Sequence, residues 1–204
     1  MTSADNGIIH DPDSRDHFEV MGLPRKLRVD IDALTKRYYE LSRRYHPDFM
    51  QDAAPKERIA SMTRTAAVNS AQKTLSDPFA RGRWWLETKG EELGRNNNRV
   101  PTTLMMLVLE IQELLDTART QGDDETLARV STRRENVQRE FDSRATLLDE
   151  NFTAWDESDG EGSPDLLTDL KAILSDASYL RTLLRDIDGT VDQITTGTPR
   201  EALH

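Results

Sequence analysis

Residues 30–48 read DIDALTKRYYELSRRYHPD, and they encode a helix, a charged face and a forced loop. Asp30 is suited to cap a helix predicted over 31–45, because a carboxylate there can accept the free N–H groups of the first turn. Leu34, Tyr38, Leu41 and Tyr45 recur at i, i+4, i+7 and i+11, an apolar stripe that needs a core to face. At about 100° per residue, Lys36, Arg37, Arg43 and Arg44 gather on the opposite side, with Glu40 among them. Next comes His46-Pro47-Asp48, where proline denies the preceding residue helical geometry and forces a loop. Helical periodicity resumes near Pro55 and runs to about Leu75, so the stretch predicts a helical hairpin closed by a His-Pro-Asp loop.

Working outward, residues 1–15 carry few apolar anchors and read as a mobile leader, with structure beginning near Asp16. His17 to Pro24 reads as a short helix stopped by Gly22 and Pro24. Asp77-Pro78 pairs an N-cap residue with a proline suited to the first helical position, predicting a short fourth helix that carries Trp84, Trp85 and Leu86 and closes at Gly90. Residues 94–99 (GRNNNR) are polar and turn-forming, the natural hinge of a linker over 91–100. Beyond it, helical patterns run over about 101–120, 124–155 and 165–188, broken at Gln121-Gly122-Asp123-Asp124 and at 157–164, with fraying expected after Gly189. The short links favour an antiparallel three-helix bundle over 101–190 and a tail over 191–204. Nothing alternates at period two for long enough to suggest a strand, so the expected class is all-α with two modules, 16–90 and 101–190.

Charge divides along the same line. Residues 1–90 hold 15 Lys+Arg and 13 Asp+Glu, leaving 12 and 24 for residues 91–204 of a chain whose net charge is -10. An acidic second half repels a phosphate backbone, which argues against a nucleic-acid partner and for protein partners. The absence of cysteine excludes disulfides, thiolate nucleophiles and cysteine ligation of zinc or an iron-sulfur cluster by this chain. No run approaches membrane-spanning length, and residues 1–16 lack both a secretion signal's apolar core and a transit peptide's arginines. These features predict a cytoplasmic protein that neither binds nor crosses a membrane. No cofactor, no metal site and no catalytic residues are expected, since clustered carboxylates, a phosphate loop and metal-ligand spacing are all missing.

Two constellations remain for function. In the first, His46 could merely cap or pack, and four basic side chains on a helix could be an ordinary solvated face. Together at this spacing they form a docking unit, in which the cations steer toward an acidic surface and Asp48 can pair with a cation on a partner. No acid-base or nucleophile partner accompanies His46, so it is not read as catalytic. The second lies on the helix predicted over 101–120. Leu104, Leu107, Val108, Ile111, Leu114, Leu115 and Ala118 fill one arc, while Met105, Met106, Leu109, Glu110, Glu113, Asp116 and Thr117 share the other. That second arc is either an adaptable protein-binding surface of Met and Leu flanked by acids, or a face that another bundle helix covers.

The segment Leu41–Asp48 resembles the end of the second helix and the signature loop of J-domains, the modules that activate DnaK-type chaperones. Residues 67–78 (AVNSAQKTLSDP) and 81–86 (RGRWWL) are similar to the corresponding helices of the HscB family, the J-domain co-chaperones of iron-sulfur cluster assembly. Residues 103–114 (TLMMLVLEIQEL) resemble the helix with which those proteins grip the scaffold protein IscU. The resemblance spans roughly 16–188 and implies an L-shaped, monomeric co-chaperone, not an enzyme. Such a protein would bind an IscU-like scaffold, deliver it to a DnaK/HscA-type ATPase chaperone and stimulate that partner's ATP hydrolysis. It implies chaperone contacts at Lys36, Arg37, Arg43, Arg44, His46, Pro47 and Asp48, and scaffold contacts at Met105, Met106, Leu109, Glu110, Glu113 and Tyr179. Tyr179 could equally be a core or rim tyrosine, whereas Phe152 and Trp155 read as core. Thr117 stands where the family often has an acid, and Leu107 and Val108 are more apolar than usual, which leaves the width of the scaffold surface open. The alternative is a J-domain co-chaperone for a different client protein.

Overall fold

The fold is a computed structural model describing residues 11, 13–46, 54–91, 93, 100–158 and 162–196. The described residues are helical or irregular, with no strand among them. The helices described are α1 (His17–Met21), α2 (Ile31–Arg44), α3 (Pro55–Ser76), α4 (Pro78–Thr88), α5 (Met105–Gln121), α6 (Asp124–Glu157) and α7 (Pro164–Thr196), and a 3-10 turn (Thr102–Leu104) leads into α5. Aspartates begin four of them. The side chains of Asp16, Asp30, Asp77 and Asp123 accept backbone N–H groups of the first turns of α1, α2, α4 and α6. Gly22 and Gly122 end α1 and α5 in the left-handed conformation, with φ of 62° and 61°.

Burial follows the apolar stripes. Leu34, Leu41 and Tyr45 of the α2 stripe are buried against Val68, Ala71 and Leu75 of α3, while Tyr38 is half-buried and donates its hydroxyl to Asn69 Oδ1 at 3.2 Å. A second cluster joins Leu104, Val108, Ile111, Leu114, Leu115 and Ala118 to Val130 and Val137 of α6 and to Leu180, Leu183 and Ile187 of α7. One boundary differs from expectation. α7 does not fray after Gly189 but continues to Thr196, because Val191 and Ile194 pack on the second cluster and offset a helical glycine's cost of about 1 kcal/mol.

The hairpin helices and the long helices meet in a packed joint. Leu148, Phe152 and Trp155 of α6 and Leu170, Leu174 and Ala177 of α7 belong to the same buried cluster as Phe18, Leu27, Leu41 and Trp85. Helix α4 enters this cluster through Gly82, where an added Cβ would lie 3.3 Å from both Leu174 Cδ2 and Phe152 Cζ. Arg81 is buried beside it. Its guanidinium donates to the Leu75 carbonyl at the open end of α3 and sits 5.3 Å from the Phe152 ring, and burial lowers its pKa. The polar tract 94–99, read as a hinge, lies outside the described residues.

A second tie crosses the joint 129 residues apart in sequence. The Asp156 carboxylate accepts the backbone N–H groups of Leu27 at 2.7 Å and Arg28 at 2.9 Å, as an N-cap would, but from another helix. Leu27 is fully buried. Asp156→Ala should therefore cost about 1–3 kcal/mol by stranding a donor at the edge of the core. Urea unfolding measures this; an unchanged midpoint would mean that water takes over both bonds.

Candidate docking sites on α2 and α5

The end of α2 is positioned by two hydroxyls. Ser61 Oγ and Thr65 Oγ1, one turn apart on α3, both donate to the Tyr45 carbonyl, at 2.8 and 2.7 Å. The residue immediately before His46 is thus pinned to the facing helix. His46 itself is exposed, and Pro47 and Asp48 lie outside the described residues. Lys36, Arg43 and Arg44 are exposed along α2, with Arg44 stacked 5.7 Å from the Tyr45 ring. Arg37 differs from the other three. It is half-buried, its Nε donates to the Met21 carbonyl at 2.9 Å and its Nη1 contacts Glu40 at 3.1 Å, so it fastens α2 to the end of α1 as much as it faces outward.

Two features here escaped the sequence reading. Tyr39 is 68% exposed and lies on the basic stripe, three residues after Lys36 and four before Arg43. Its place in that register was available from spacing alone. Ile59 and Met62, 65% and 62% exposed one turn apart on α3, carried no signal because they sit within an otherwise polar helix start.

On α5 the arc of uncertain purpose is open to solvent. Met105, Met106 and Leu109 are 47%, 70% and 55% exposed, and no described residue of α6 or α7 covers them. Phe152 and Trp155 are core, as expected. Glu110 and Glu113 are exposed in the same stripe. Glu110 pairs with Arg133 of α6 at 3.2 Å, whereas Glu113 makes no ion pair among the described residues. Tyr179 is half-buried against the second cluster. Thr103 Oγ1 donates to the Asp176 carboxylate at 3.3 Å, joining the turn before α5 to α7 three residues before Tyr179.

No described group of His, Cys, Asp or Glu side chains could hold a metal ion, and no helix among the described residues is long and apolar enough to cross a membrane. What the two sites offer is surface: cations on α2 beside His46 at one end, and flexible apolar side chains beside carboxylates at the other.

The DnaJ domain family model matches residues 16–84. Among solved structures, chaperone HscB from Vibrio cholerae superposes with a TM-score of 0.68 at 22% identity, covering 88% of this chain and 99% of that one. The human co-chaperone protein HscB superposes with a TM-score of 0.61 at 26% identity, covering 88% of this chain and 83% of the human one. A DnaJ domain match over the hairpin helices and an HscB-like fold over 88% of the length make this chain similar to J-domain co-chaperones of the HscB type.

Proposed function

We propose that the chain binds an IscU-like iron-sulfur scaffold protein through α5, delivers it to a DnaK/HscA-type chaperone through α2 and the His46-Pro47-Asp48 loop, and stimulates that chaperone's ATPase to promote cluster maturation or transfer. The observation that carries the scaffold assignment is the uncovered run Met105, Met106 and Leu109. A bundle helix with no partner would expose polar side chains there, and methionines repack cheaply against a partner's surface. Glu113 adds a carboxylate with no ion pair among the described residues, which orients a basic partner. In this reading residues 16–90 serve the chaperone and 101–190 the scaffold, in a cytoplasmic monomer without a cofactor. Holding both partners on one chain raises the client's local concentration at the chaperone, to the millimolar range for short connections. ATP turnover belongs to the partner.

Calorimetric titration with the scaffold protein from the same organism tests this. Wild type should bind, and a variant with Met105, Met106 and Leu109 all changed to Ser should lose affinity roughly 100-fold or more, since buried apolar anchors are worth about 1–2 kcal/mol each. Failure of the wild type to bind would leave a J-domain co-chaperone for a different client.

A further inference from the structure

Beside the exposed stripe of α5 runs a groove of about 650 Å³ between α5 and α6, acidic on its α5 wall and carrying two guanidiniums and the Glu125 carboxylate on its α6 wall. Glu110, Glu113 and Thr117 form the α5 wall, and Arg129, Thr132 and Arg133 the α6 wall. Helical geometry makes the groove continuous with the stripe. At about 100° per residue, Met106, Glu113 and Thr117 fall within one narrow sector of α5, with Glu110 turned from it toward α6 and Met105 turned away. Among the described residues one ion pair spans the groove, Arg133 to Glu110 at 3.2 Å. Arg129 is exposed and makes no ion pair within 4 Å among the described residues. A groove that merely joined two helices would close its charges on one another. Among the described residues this one leaves the Glu113 carboxylate and the Arg129 guanidinium without an ion pair within 4 Å, although Arg129 also acts on the nearby Asp123 carboxylate.

We infer that the scaffold-docking surface, taken as proposed above, extends across this groove onto α6, where Arg129 and Arg133 receive a carboxylate-bearing segment of the same partner. The partner's surface is then mixed in sign: apolar against Met106 and Leu109, cationic toward Glu113, anionic toward Arg129. A guanidinium binds a carboxylate through two parallel N–H donors, so this wall sets register as well as attraction. In the free protein Glu110 pairs with Arg133 across the groove at 3.2 Å.

The test is calorimetric titration of the scaffold protein into Arg129→Glu and into the double variant Arg129→Ala/Arg133→Ala, beside wild type and the Met105/Met106/Leu109 serine variant. Circular dichroism melting confirms that each variant is folded, which is expected because Arg129 and Arg133 are solvent-exposed. The inference expects Arg129→Glu to lower affinity about tenfold or more, with a shallower salt dependence than wild type. Wild-type affinity in both arginine variants, while the serine variant fails to bind, would overturn the extension onto α6 and leave the α5 assignment standing. Absence of binding by wild type would overturn both.

Discussion

Replacing Trp155 with alanine should lower the unfolding free energy of the whole chain by about 3–5 kcal/mol, and unfolding should remain one transition. Trp155 stands where the hairpin helices and the long helices meet. It is 2% exposed, meets Trp85 of α4 edge-on at 5.8 Å, and lies under the Lys89 ammonium, which is 5.4 Å from each ring. Gly162 closes over its far side so tightly that a Cβ there would come within 2.6 Å of the indole, at a φ of 67°. The cavity left by alanine would open between α4, α6 and the segment before α7, a site that cannot collapse without moving all three. Urea denaturation followed by circular dichroism measures the change, with Met106→Ala as an exposed control expected within about 0.5 kcal/mol of wild type. Two separate transitions in wild type would refute the shared core, because they would show the joint giving way before either group of helices.

Changing His46, Pro47 and Asp48 together to alanine should abolish stimulation of the chaperone's ATPase while leaving the fold intact. The two effects separate because the hairpin is held elsewhere. Leu34, Leu41 and Tyr45 are buried against Val68, Ala71 and Leu75, and the Tyr45 carbonyl is gripped by Ser61 and Thr65 before the loop begins. His46 is exposed, so the core loses nothing with it. The loop's role in this reading is to present Asp48 to a cation on the chaperone after Lys36, Arg43 and Arg44 have steered the encounter. ATPase turnover of the chaperone with and without the variant, beside its far-ultraviolet circular dichroism, checks both halves. Global unfolding would show that the loop supports the core, and undiminished stimulation would show that docking lies elsewhere on α2 or α3.

Much of this molecule was legible in its residues. The aspartate caps and the glycines at helix ends act within one turn of chain, so spacing alone located each described helix to within a few residues, apart from the end of α7. The apolar stripes of α2 and α5 likewise marked which sides would be buried, and the mixed arc of Met105, Met106, Leu109, Glu110 and Glu113 stood out because it broke the pattern. Tertiary structure decided what depends on distant partners. Whether Met105 and Leu109 were covered turned on where α6 and α7 lay; that Glu110 is paired and Glu113 is not turned on Arg133, 23 residues further along the chain. Arg37 became an anchor only because α1 put the Met21 carbonyl beside it. Trp155 read as core, but its pairing with Trp85, the approach of Phe152 to Gly82 and the Asp156 tie to Leu27 had no local signal, since these contacts reach across as many as 129 residues and short-range periodicity carries no record of them. α7 outran its glycine for the same reason: helix propensity is a local quantity of about 1 kcal/mol, and burial of Val191 and Ile194 against other helices exceeds it.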